Sequence, residues 1–79
     1  MHEEIKLEAG YKLTKYRNTG VTWLINNNKN NLFIHATKIT LNADKEAWLK
    51  LFENGVYVAA IWIDKAITIR RIKRLMEEK

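Results

Sequence analysis

Asn42-Ala43-Asp44-Lys45-Glu46-Ala47-Trp48-Leu49-Lys50-Leu51-Phe52-Glu53-Asn54-Gly55-Val56-Tyr57-Val58-Ala59-Ala60-Ile61-Trp62-Ile63 is the stretch on which the fold class turns. Ala47 with Leu51, and Trp48 with Phe52, stand four residues apart, the spacing of one helix face. Asn42 or Asp44 can serve as N-cap, and Gly55 as the stop. The spacing therefore predicts a helix ending at Gly55. Val56–Ile63 follows without a polar residue; it is too short and too β-branched for a helix and reads as a buried strand. A helix between two strands calls for a parallel crossover in a mixed sheet.

Working outward, Ile5 and Ala9 lie at i, i+4 among Glu3, Glu4, Lys6 and Glu8, which predicts a short first helix closed by Gly10. Tyr11, Leu13 and Tyr16, separated by lysines 12 and 15, open a strand. Asn18-Thr19-Gly20 is a turn signal. Residues 21–25 and 32–36 are β-rich, and the asparagine-rich loop between them suits a hairpin. Lys38 to Leu41 extend the third strand or lead out of it. Asp64 caps a last helix with Ala66, Ile69, Ile72 and Met76 as its stripe, Leu75 at the margin, and Arg70, Arg71 and Arg74 opposite. Alternation at Ile67-Thr68-Ile69 makes a strand the rival there. The expected fold class is α/β: a small mixed β-sheet flanked by helices, in the order α-β-β-β-α-β-α. Leu24, Phe33, Trp48, Phe52, Val58 and Ile61 are the expected core.

The chain has 79 residues, which makes a single domain, and it has no cysteine to staple it. Its apolar fraction of 47% is that of a globular protein. The longest apolar run is far below the roughly 20 residues that span a bilayer. The acidic N-terminus lacks the apolar core of a signal peptide. A cytoplasmic, intracellular location is expected, with a viral or plasmid origin left open.

Fourteen Lys and Arg against nine Asp and Glu leave a net charge of +5. The distribution is more telling than the total. Between Glu8 and Asp44 there is no carboxylate, while Lys12, Lys15, Arg17, Lys29 and Lys38 all fall there. Arg70, Arg71, Lys73 and Arg74 form a second cluster. Such an imbalance favours polyanions, which bind through phosphate contacts and counterion release. Most catalytic templates fail: there is no Ser or Cys nucleophile and no glycine-rich phosphate loop, and His2 and His35 lack metal-ligand spacing.

Three segments carry a family resemblance. The first is Gly10-Tyr11-Lys12-Leu13-Thr14-Lys15-Tyr16-Arg17-Asn18-Thr19-Gly20-Val21-Thr22-Trp23-Leu24-Ile25. The second is Leu32-Phe33-Ile34-His35-Ala36-Thr37-Lys38, and the third runs from Leu41 through Trp48-Leu49-Lys50-Leu51-Phe52 to Gly55-Val56-Tyr57-Val58. Together they resemble a minimal PD-(D/E)xK nuclease-superfamily domain, nearest the virus-type replication-repair nuclease (VRR-NUC) and archaeal Holliday-junction-resolvase-like groups. The resemblance implies a restriction-endonuclease-like fold. It also implies that the catalytic signature is lost: the Pro-Asp pair aligns with Thr22 and Trp23, the Glu with His35, and the Lys with Thr37. Lys38 lies one residue further on, and Glu4 or Glu8 is the surviving leading-helix carboxylate. Hydrolysis by this family needs paired carboxylates around Mg²⁺.

The expectation is therefore a non-catalytic nucleic-acid-binding domain, an inactive nuclease without metal or cofactor, with DNA favoured over RNA. Its phosphate contacts would be Lys12, Lys15, Arg17, Lys38, Lys45, Arg70, Arg71 and Arg74. The alternatives are a homodimeric protein-interaction domain with Trp23 in the contact, and a metal-dependent nuclease remodelled around His35, Glu4 and Lys38. A homodimer is expected in any case, since a small unstapled chain gains by burying a shared surface.

Overall fold

The computed structural model describes residues 2–17, 20–43 and 47–78. These form two antiparallel sheets and one helix, not a mixed sheet flanked by helices. The first sheet is a four-stranded meander of β1 (His2–Lys6), β2 (Tyr11–Arg17), β3 (Val21–Asn27) and β4 (Leu32–Ala36), in that order. The second is a three-stranded meander of β5 (Lys38–Ala43), β6 (Ala47–Glu53) and β7 (Val56–Ile63). The helix α1 (Ala66–Glu77) follows. Every strand pairing is antiparallel, so the α/β expectation and its parallel crossover are corrected.

Two expected helices are strands, each for a physical reason. The i, i+4 pairs Ala47/Leu51 and Trp48/Phe52 fit a period of 2 as well as one of 3.6. Leu49 decides between them. Ala47, Leu49 and Leu51 are all buried, while Trp48 and Lys50 are exposed, which is strict alternation. Asn54 and Gly55 have φ of 53° and 85°, the two positive values of a type I′ hairpin turn, so Gly55 joins two strands instead of stopping a helix. At the N-terminus, Ile5 stands opposite Leu13 in β2, and residues 2–6 form an edge strand. Ala9 and Gly10, at φ 58° and 85°, turn the chain back within a short 3-10 turn, Glu8–Gly10. The hairpin around residues 28–31 forms as expected, and so does the last helix, but it begins at Ala66 with Lys65 in the N-cap position and without the side-chain cap expected from Asp64. Asn18, Thr19, Asp44 and Lys45 lie outside the described residues, and with them a turn signal, one proposed cap and one proposed phosphate contact.

The inner faces of the two sheets share one core. Ile5, Leu13, Ile25 and Ile34 line up across the first sheet. Leu41, Leu49 and Ile61, with Ile39, Leu51 and Ala59, do so across the second. Ile72 and Leu75 of α1 join them. Thr37 alone links β4 to β5 and holds the sheets together: its amide donates to Phe52 O at 2.9 Å, and its hydroxyl accepts from the Asn54 amide at 2.9 Å. Leu51 has no solvent exposure. Leu51→Ala is expected to cost about 2–5 kcal/mol, seen as an earlier urea midpoint with an unchanged slope.

The core expectation needs correction as well. Leu24 is buried, and Phe52 and Ile61 are half-buried. Phe33, Trp48 and Val58 are exposed, because each points away from the shared core or lies on the edge strand β7. On α1 the buried residues are Thr68, Ile72 and Leu75, while Ala66 is exposed.

Candidate nucleic-acid interface

Strand register assigns the expected phosphate contacts to quite different jobs. Lys15 falls in the row Glu3–Lys15–Trp23–Ala36, which faces the core. It is 1% exposed. Its ammonium lies 5.3 Å from the Trp23 ring centre and donates to Leu75 O at 2.6 Å and Glu78 O at 2.5 Å. Lys15 thus caps the C-terminus of α1, where carbonyls lack helical partners and the dipole favours a cation. Arg17 is engaged by Glu78 at 3.0 Å and Glu3 at 3.5 Å. Lys12 sits 3.7 Å from Glu4. Arg70, Arg71 and Arg74 surround the exposed Ile67 on the outer side of α1. Lys38 is exposed on β5.

Burial, with repulsion from Arg17, pushes the Lys15 pKa below the ordinary lysine value; Glu3 and Glu78 oppose the shift. Between that lowered value and the ordinary one, the unfolded chain holds the proton that the folded chain has released. Stability should therefore rise with pH across this window. A Lys15→Met variant loses both hydrogen bonds, is expected to be about 1–3 kcal/mol less stable at neutral pH, and should lack that alkaline rise. Urea midpoints of the two proteins at neutral and alkaline pH check both points.

The positions that the resemblance aligned with a nuclease active site do not converge. Glu4 and His35 are the ends of one outer row of the first sheet, Glu4–Thr14–Leu24–His35, three strand spacings or about 14 Å apart. Thr22 is on that outer face and Trp23 on the inner one. Thr37 lies between the sheets. His35 stands 3.6 Å from Glu53. Among the described residues no group of three His, Asp or Glu could hold a metal ion. No described helix is long and apolar enough to cross a membrane.

The outer face of the second sheet presents a surface that the sequence reading missed. Three rows cross it: Asn42–Trp48–Trp62, Thr40–Lys50–Ala60, and Lys38–Phe52–Tyr57. Trp48 is 41% exposed, Trp62 50% and Tyr57 56%, and Phe52 meets Tyr57 edge-on with ring centres 6.0 Å apart. Four aromatic rings and two lysines thus share a face whose rows contain no carboxylate. The signal was legible: Trp48, Lys50 and Phe52 alternate with Ala47, Leu49 and Leu51, and Asn54-Gly55 announces the hairpin that brings Trp62 beside Trp48.

No protein-family model, curated protein or solved structure matches this chain. Nothing in those comparisons identifies the nuclease relationship, and the fold that the resemblance implied is not the one formed.

Proposed function

We propose that the protein is a non-catalytic nucleic-acid-binding domain whose interface is the outer face of the second sheet. The observation that carries this reading is the set of rows that place Trp48, Trp62, Phe52 and Tyr57 beside Lys38 and Lys50. Exposed rings on a sheet offer stacking platforms for unpaired bases, and lysines between them neutralise the backbone. A duplex hides its base faces, so the occupant is a single strand. Stacking is tolerant of sequence, and the face has few groups that read base edges, so little sequence preference follows.

The test is binding of a fluorescent oligothymidylate and of a duplex of equal length. The single strand should bind more tightly. With two lysines on the face, log K should fall against log salt with a slope of roughly −1 to −2. Lys38→Glu with Lys50→Glu should flatten that slope and leave the fold intact, because both lysines face outward. Added Mg²⁺ or Mn²⁺ should cause no cleavage. Absence of binding at low salt defeats the reading.

A second reading, the homodimeric protein-interaction domain, is favoured by β7. It is an eight-residue edge strand without a charge or proline, and Val56, Tyr57, Val58 and Trp62 are exposed along it. Such an edge is a template for another strand, although the bulge opposite Leu51/Phe52 blunts it. A concentration-dependent dimer mass in sedimentation, lost in Val58→Lys, would support it; a monomer at every concentration would count against it.

A further inference from the structure

Lys6 and Lys12 stand directly opposite one another on β1 and β2. Like charges in that position destabilise a sheet. Both belong to a row across the outer face of the first sheet, Lys6–Lys12–Asn26–Phe33. Beside the two lysines lies a pocket of about 260 Å³, whose walls also include Gly10, Asn26 and Asn28, with Leu7 and Tyr11 as its apolar side. A third lysine is close by. A Cβ built on Gly10 would come within 3.5 Å of Lys29 Cδ, so the Lys29 stem packs over the same glycine. Asn27 holds that arrangement: its side-chain amide donates to Ala9 O at 3.1 Å, and its Oδ1 accepts from the Lys29 amide at 3.0 Å. Two turns distant in sequence are thereby locked together around one concave, lysine-rich spot. The opposing charges nearby are Glu4, which meets Lys12 at 3.7 Å, and Glu8 in the turn, which does not line the pocket.

We infer that this pocket binds a phosphate group, held by Lys6 and Lys12, with the side-chain amide of Asn26, which lies 3.5 Å from Asn28 Oδ1 in the free protein, turning to it as a further donor. A phosphate between the lysines converts a repulsive pair into two charge-assisted hydrogen bonds. The exposed Phe33 at the end of the same row, 72% accessible, offers a ring to a base or another flat group attached to that phosphate. The site is separate from the aromatic face of the second sheet and does not depend on the function proposed for it. The phosphate has two possible sources, a nucleic-acid backbone and a small phosphorylated molecule.

The experiment is an NMR titration of the protein with inorganic phosphate, against chloride at matched ionic strength and pH. Saturable shifts are expected at the amides of Lys6, Gly10, Lys12, Asn26 and Asn28, with phosphate only. Lys6→Gln and Lys12→Gln should each weaken the response about tenfold, the loss of one charge-assisted bond. Without phosphate, Lys6→Gln should melt no lower than the parent, since it removes a repulsion; this separates lost binding from lost folding. An unlabelled oligothymidylate that displaces phosphate assigns the site to a nucleic-acid backbone, and failure to displace it assigns the site to a small phosphorylated ligand. Equal shifts with chloride, no saturation, or an unchanged response when Lys6→Gln and Lys12→Gln are combined would overturn the inference.

Discussion

Lys15→Glu is expected to leave the chain without a cooperative fold at 25 °C. The side chain at this position faces the core and meets the carbonyl oxygens of Leu75 and Glu78. A carboxylate there would be buried against two acceptors, at the negative end of a helix dipole, with Glu3 and Glu78 close by. Leaving a buried charge uncompensated costs about 3–5 kcal/mol, and here repulsion replaces attraction. A domain of this size has roughly 4–12 kcal/mol in total, and small domains sit low in that range. Circular dichroism on heating should show no sigmoidal transition for Lys15→Glu, while Lys15→Met retains one at a lower midpoint. A Lys15→Glu protein melting like the parent would mean that the lysine lies at the surface.

Trp48→Ala combined with Trp62→Ala should abolish most single-strand binding while leaving the protein folded. Each base–ring stack contributes about 1–3 kcal/mol, so removing two lowers affinity about thirtyfold or more. Both rings are about half exposed and face away from the shared core. Their loss removes one cross-strand contact, on the order of 1 kcal/mol or less. Trp23, buried under the Lys15 ammonium, remains as an internal reporter of folding by fluorescence. Unchanged affinity in the double variant would exclude the aromatic face as the interface. A protein that binds less and also loses its melting transition would place the tryptophans in the core, against the register that sets them outside it.

A local signal carried the β3–β4 hairpin. The asparagine-rich loop marked the β3–β4 turn, where Asn31 has φ of 51°, because asparagine tolerates the left-handed region. The last helix was legible from the spacing of Ala66, Ile69, Ile72 and Met76, although a strand rivalled it at Ile67-Thr68-Ile69 and the face it buries is Thr68, Ile72 and Leu75. The middle of the chain was misread because residues four apart share a face in a helix and in a strand alike. The intervening residue, Leu49, and the Asn54-Gly55 dipeptide carried the distinction. The nuclease resemblance rested on the same stretch, so it inherited the same ambiguity.

The sequence by itself determined the basic balance, the lack of Ser and Cys, and the position of the C-terminal helix. These depend on residue identity and local spacing. Only the tertiary structure decided which lysines meet solvent. Lys12 and Lys15 are both basic residues of β2, yet strand register sends the first outward beside Lys6 and the second inward under Trp23. Register also turned Trp48 and Trp62, which composition alone marks as core, into neighbours on an open face. Which face of a sheet is buried depends on what the rest of the chain packs against it, and that information is non-local: β6 could bury Leu49 or Trp48, and the first sheet with α1 made the choice.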